Sequence, residues 1–354
     1  GSQDNDVFRY SSGVWNNNIA CDAEEAAIDP NCPDVMYVER VCCWTCRNFA
    51  WSTNGGASWG FTATPNNNSN LTRPIMIHND DFLYIGHEQL YKSSTTSQPN
   101  CPSTPVAPSW SPIGPSVPGK EINAFDIAPS NSQTIYVAYN EVTYSNPVLG
   151  SQLLWKTTNG GSSWVELTAN SATATSLTPA LNWTPITDIV VNPNNENELW
   201  ITFGGFWDCP GGSNSGFGQF RVMHSADGGT TFQEYSTGLP EFPVNCIVYE
   251  QGSADGLYVG TDVGVFYRNS TMCKWECFST NLPVVIVPDL EINHCARKIR
   301  AATFGRSIWE SPLAVGPVVT TSINTNTTWS GNVIVAADVV ISNNSTLTVS
   351  PGTV

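Results

Sequence analysis

Ser52-Thr53-Asn54-Gly55-Gly56-Ala57-Ser58-Trp59, Thr157-Thr158-Asn159-Gly160-Gly161-Ser162-Ser163-Trp164 and Ser225-Ala226-Asp227-Gly228-Gly229-Thr230-Thr231-Phe232 are three copies of one pattern. Each places Asn or Asp before a Gly-Gly pair and closes on an aromatic residue. The Asn54, Asn159 or Asp227 side chain can bond back to the turn backbone, and the glycines accept positive φ at little cost. The aromatic residue, Trp59, Trp164 or Phe232, packs under the hairpin. All six side chains therefore read as structural.

A longer unit surrounds these hairpins. Ala27-Ile28-Asp29-Pro30-Asn31 is followed by Val35-Met36-Tyr37-Val38, an apolar strand, a turn and a second apolar strand. The unit returns from Asp126 to Ala138 and from Asp188 to Ile201, with looser copies starting near Pro74, Cys246 and Glu291. Trp110 and Trp275 mark degenerate hairpins without the Gly-Gly pair. Strand centres fall near residues 28, 75, 127, 189, 247 and 292. That spacing of roughly 45 to 62 residues suits a four-stranded blade with loops of variable length. Hydrophobic residues are 40% and charged residues 12%, with 28 Gly and 24 Pro, a mixture for many short strands and tight turns. No long stretch has apolar residues at helical spacing with good caps.

The net charge of −16 would repel a polyanion, and no Lys/Arg-rich run exists, so nucleic acid is not an expected partner. No apolar stretch is long enough to span a membrane; any membrane contact would be indirect, through a parent protein. Cys43-x-x-Cys46 is half of a zinc motif with no second half, and no loop has ordered calcium-ligand spacing. No metal and no cofactor are expected. The eleven cysteines read instead as disulfides formed in an oxidising compartment. Local pairs would be Cys21 with Cys32, Cys42 or Cys43 with Cys46 or Cys209, and Cys273 with Cys277. Seven Asn-x-Ser/Thr sequons, at Asn67, Asn70, Asn182, Asn269, Asn326, Asn343 and Asn344, are read as products of an Asn- and Thr-rich composition.

The Gly-Gly hairpins resemble the Asp-box, or BNR repeat, of sialidases, sortilin-like receptors and xyloglucanase-type glycoside hydrolases. The resemblance covers residues 1–313. It implies an all-β fold, a β-propeller of about seven four-stranded blades with the first one partial. Residues 314–325 read as a linker. Residues 326–354, rich in Thr, Ser and Asn, resemble the entry to a parallel β-helix in large bacterial surface proteins exported by the type IX route. The chain starts and stops inside strand-like segments, so a longer extracellular or cell-surface parent is expected.

In such a propeller the Gly-Gly hairpins and Asn-Pro-Asn turns share one face, where no function is expected. Long insertions fall on the other: 39–50, 139–151 and 204–218, with the blade-to-blade segments 62–73 and 168–185. Binding concentrates on long loops held by a rigid scaffold. Trp44, Trp183, Trp207 and Asp208 are the candidate ligand-binding residues, by stacking on a sugar or packing on a protein. Trp44 and Trp207 could equally cover disulfides.

For catalysis, Thr261-Asp262-Val263-Gly264-Val265 is similar to the segment carrying a catalytic Asp in xyloglucanase-type enzymes, with Val265 in place of the second Gly. Asp4 occupies the matching turn of the first blade, and a glycosidase needs two carboxylates. The four histidines are scattered, and there is no HExxH, Walker or dinucleotide motif. The sequence thus points to a non-catalytic extracellular module for adhesion, scaffolding or binding of glycan or protein. A glycoside hydrolase using Asp262 and Asp4 is the alternative, and self-assembly is left open.

Overall fold

The computed structural model describes residues 7–11, 14–41, 47–65, 74–96, 107–141, 152–181, 185–204, 220–314, 318–319, 323, 325–329, 334–335 and 339–351. Two compact units divide the chain, Gly1–Ala174 and Thr175–Val354.

The first unit contains three antiparallel four-stranded sheets, each a meander in chain order. Blade 1 is Asp22–Ile28, Met36–Val41, Arg47–Ser52 and Gly60–Thr62. Blade 2 is Ile75–Ile77, Phe82–Gly86, Leu90–Thr96 and Trp110–Pro112. Blade 3 is Lys120–Ile127, Ile135–Glu141, Leu153–Thr157 and Val165–Glu166. Tyr84, Leu90, Ile122, Phe125, Ile127, Val137 and Tyr139 form the core between blades 2 and 3.

The second unit continues the pattern. Blade 4 is Ile186–Val191, Leu199–Phe203, Val222–Ser225 and Gln233–Glu234. Blade 5 is Val244–Glu250, Gly256–Thr261, Gly264–Arg268 and Glu276–Cys277. Blade 6 has three strands, Asp289–Asn293, Lys298–Ala302 and Ile308–Pro312. The second strands of blades 4 and 5 are buried throughout, which is why they read as unbroken apolar runs. Beyond blade 6 the pairing turns parallel. Val318–Val319 lies beside Ile334–Val335, Ile323 bridges Ile341, and Thr327–Trp329 lies beside Leu347–Val349.

Six blades are therefore seen among the described residues, not about seven. The segment expected as a partial first blade is a two-stranded hairpin, Val7–Ser11 with Val14–Ile19, whose Ile19 packs on Val38 and Ala50 of blade 1. A second difference is the helix Ser171–Leu181. Asn170 caps it, its Oδ1 accepting the Ala172 amide at 2.9 Å. Among its described side chains Thr173 and Leu177, four apart, are fully buried, and the sequence shows no broad apolar stripe.

Cys21 and Cys32 are each disulfide-bonded. Cys246, Cys273, Cys277 and Cys295 are free thiols, so the expected Cys273–Cys277 bridge is not formed. Trp275 between them is buried and donates Nε1 to Tyr235 O at 2.7 Å. That anchor fixes the segment, and Cys277 lies in the fourth strand of blade 5. The chain leaves blade 6 under restraint: Leu313 N donates to Arg297 O at 3.1 Å. Ala314 N donates to the Tyr258 hydroxyl at 2.6 Å, and that hydroxyl donates to Glu250 Oε2 at 3.0 Å.

Candidate functional site

The two ends of the blades differ in how their polar groups are used. In the hairpin of blade 1, Asn54 Oδ1 accepts the Ser58 amide at 2.9 Å and the Ser52 hydroxyl at 3.0 Å, while Ser52 Oγ accepts Gly56 N at 2.8 Å. Blade 3 repeats this with Asn159, Ser163, Thr157 and Gly161 at 2.9, 2.9 and 3.1 Å. Blade 4 does so with Asp227, Thr231, Ser225 and Gly229, each bond at 2.9 Å. The first glycine of each pair donates to the turn between first and second strands: Gly55 to Asp34 O, Gly160 to Gln133 O and Gly228 to Asn197 O. These glycines have φ between 64° and 92°. Trp59 packs beside Val38 and Ala50, Trp164 donates Nε1 to Ile113 O at 2.7 Å, and Phe232 is 5% exposed. The hairpin side chains of blades 1, 3 and 4 are thus committed to internal bonds.

Of the residues expected at the other end, Asp4, Trp44, Trp183, Trp207 and Asp208 lie outside the described residues. Asp262 is described. It sits in the turn between the second and third strands of blade 5, its Oδ1 held by Asn245 Nδ2 at 3.0 Å. The same Asn245 amide reaches Val287 O at 3.3 Å. Asp262 N bonds Pro243 O at 3.4 Å, and the matching bonds elsewhere are Gly86 N to Pro74 O, Gly204 N to Pro185 O and Phe304 N to Ile286 O. Two other blades carry glycine at the position of Asp262. The scaffold therefore needs no carboxylate there.

Beside Asp262 the surface turns apolar. Val284 is 82% exposed, Phe304 76% and Ile286 39%. Phe304 and Ile286 touch through their backbone bond, and Val287 N donates to Thr261 O at 2.9 Å, next to Asp262. Sequence reasoning missed this group, because its members come from a blade entry and a turn that look like ordinary strand ends.

A second group missed by the sequence is acidic. Asp289 and Glu291 alternate with buried Leu290 and Ile292, so both carboxylates project from one face of the first strand of blade 6. They reach water but are hemmed in by neighbouring strands. Burial pushes Glu291 up to about 7, aided by the charge of Asp289 and opposed by Arg300. Asp188, on the first strand of blade 4, is also pushed up to about 7 by burial, although it accepts Ile247 N at 2.9 Å and Ile189 N at 2.8 Å. Asp289 is raised by burial as well. Burial lowers the Arg221 guanidinium, with the charges of Glu241 and Asp262 opposing that shift. Among the described residues no group of His, Cys, Asp and Glu has the geometry to hold a metal ion.

No family profile matches the sequence, and no curated protein matches it. Solved structures do. An ancestral GH74 enzyme superposes with a TM-score of 0.56 at 15% identity, covering 83% of this chain and 37% of that one. YCF48 from Cyanidioschyzon merolae superposes with a TM-score of 0.50 at 14% identity, covering 81% of each chain. The fold is a six-bladed β-propeller. Raptor from Chaetomium thermophilum superposes with a TM-score of 0.51 at 11% identity, over 83% of this chain and 24% of that chain. The propeller spans 37% of the GH74 enzyme's length, and identities this low carry the fold alone.

Proposed function

We propose that the propeller is a non-catalytic, extracellular module of the Asp-box type, belonging to a large modular surface protein and binding a glycan or protein. The observation that carries this reading is the contrast between the blade ends. The hairpin end spends its polar atoms internally. The opposite end of blades 5 and 6 exposes Val284, Ile286 and Phe304 together beside a carboxylate that the scaffold does not require. Exposed apolar side chains grouped this way mark interaction surfaces. A glycan array and a pull-down from cell-surface extract test it. Binding should weaken when Phe304 and Val284 are changed to Ser, or when 40–50 and 204–218 are shortened. Binding untouched by all of these changes would sink the face assignment.

The second reading is a glycoside hydrolase using Asp262. Two observations favour it: Asn245 orients that carboxylate, and the fold is shared with a GH74 enzyme. Hydrolysis of β-glucans abolished by Asp262→Ala would replace the main reading. Adhesion, surface localisation and export by the type IX route rest on the sequence resemblance and are part of the same proposal.

A further inference from the structure

Water can turn an asparagine side chain into a carboxylate without an enzyme. The backbone nitrogen of the next residue loses its proton and attacks Cγ, and the carboxamide nitrogen leaves as ammonia. Water then opens the five-membered imide at either carbonyl. The products are aspartate and isoaspartate, the latter with one extra methylene in the backbone. The attack is fastest where the next residue is Gly, then Ser, because a small side chain crowds it least.

In an unfolded chain the two Asn-Gly pairs, Asn54-Gly55 and Asn159-Gly160, would therefore lead. The fold withdraws both nitrogens. Gly55 N donates to Asp34 O at 2.9 Å and Gly160 N to Gln133 O at 3.0 Å. The carboxamides are held too. Asn54 Nδ2 donates to Ser58 Oγ and Asn159 Nδ2 to Ser163 Oγ, both at 2.8 Å. Each Oδ1 accepts the amide four residues on at 2.9 Å. Reaction at these pairs waits for the hairpin to open.

Among the described Asn-Ser pairs, Ser270 N donates to Ala254 O at 2.9 Å and Ser345 N to Ser342 O at 3.0 Å. Asn170-Ser171 is committed to the helix cap, and Ser171 is engaged in further bonding. Asn131-Ser132 differs. It lies in the turn between the first and second strands of blade 3, where Asn131 O accepts Thr134 N at 2.9 Å. Asn131 Oδ1 accepts Gln133 N at 3.1 Å, so the side chain arches over the residue between. That residue is Ser132, whose amide donates to nothing among the described residues. Blade 4 builds the same turn with Asn195-Glu196, where Asn197 N donates to Asn195 Oδ1 at 3.1 Å and Glu198 N to Asn195 O at 3.0 Å. The longer Glu196 side chain crowds the attack there.

The turn of blade 3 also holds the lock on Asn159. Gln133 O is the acceptor of Gly160 N, and the Gln133 side chain lies so close that a Cβ added to Gly160 would stand 2.7 Å from its Oε1. An isoaspartate at position 131 lengthens the backbone two residues before Gln133 and displaces that acceptor.

We propose that Asn131 is the native-state deamidation site of the propeller, and that its conversion to isoaspartate unlocks Asn159. Blade 3 is then modified in that order, while Asn54, locked by a different turn, waits.

The test is incubation of the full chain in oxygen-18 water at pH 8, with the label located by mass spectrometry of its peptides. Label is expected first at position 131, then at 159, and last at 54. In denaturant the order should reverse, with 54 and 159 leading. Folded Asn159 should react at least about tenfold more slowly than the same residue in a peptide of residues 157–164. Ser132→Glu, which copies the turn of blade 4, should silence position 131 and bring Asn159 down to the rate of Asn54. Ser132→Gly should speed both 131 and 159 and leave 54 unchanged. Label at 54, 159 or 170 ahead of 131 in the folded chain overturns the site. An Asn159 rate indifferent to both substitutions overturns the coupling.

Discussion

At Asn54, Asn159 and Asp227 one side-chain oxygen takes the amide four residues on, and the bond closes a turn of five residues. Such chemistry is local, so these residues could be read from sequence. Asn159→Ala should cost about 1–2 kcal/mol in chemical denaturation, since an intramolecular hydrogen bond is worth roughly 1 kcal/mol net. Asn159→Asp should be close to neutral, because Asp227 makes the same bonds. Asp188, Asp289 and Glu291 are the opposite case. Nothing beside them in sequence announces their environment, which is built by strands dozens of residues away. Their carboxyls are raised in the folded chain, so the native state holds protons that the unfolded chain has released. The stability they contribute is fully present below the ordinary carboxylate range and is lost as pH rises through about 7 for Asp188 and Glu291. The melting temperature should accordingly be higher near pH 5 than near pH 8. Asp188→Asn or Glu291→Gln should flatten that slope, and a melting temperature that climbs toward pH 8 would refute the account. Asp80 works against them at the acid end. Bonds from His78, Tyr84 and Lys92 outweigh its burial and hold its carboxyl below the usual range.

Among the elements, fourth strands depend most on one side chain. Two strand residues cannot hold a sheet edge alone, and the anchor is the aromatic residue before them. Trp275 is 1% exposed, packs edge-on to Tyr235 and donates to its carbonyl. Trp275→Ala should therefore cost about 3–5 kcal/mol, read by denaturation of the whole chain. Hydrogen exchange should rise first at Phe278 and Leu282. Trp110 and Trp275 were legible as degenerate hairpins because their spacing from the preceding strands matches the complete copies. The helix Ser171–Leu181 was not legible, since Ala, Ser and Thr give it no apolar stripe and one Asn residue marks its start. Asn170→Ala should cost about 1 kcal/mol and raise exchange over residues 172–177.

At the scale of the whole molecule, the repeat spacing was enough to announce blades, but their number depended on how a short leading segment was read. Val7–Ile19 pairs with itself, and the total among the described residues became six. The site was less legible. Trp44, Trp183, Trp207 and Asp208 came from loop length, whereas Val284, Ile286 and Phe304 belong to short segments that only the fold brings together. If the binding reading holds, Asp262→Ala should leave melting temperature nearly unchanged and produce no loss of glycan hydrolysis, there being none to lose. The way the chain leaves blade 6 has a mechanical meaning. Leu313 is bonded to Arg297 and Ala314 to Tyr258, and Tyr258 lies in the second strand of blade 5. A pull applied beyond Ala314 reaches blade 5 as well as blade 6. Two blades then share the tension, and blade 6 is not the sole link bearing it.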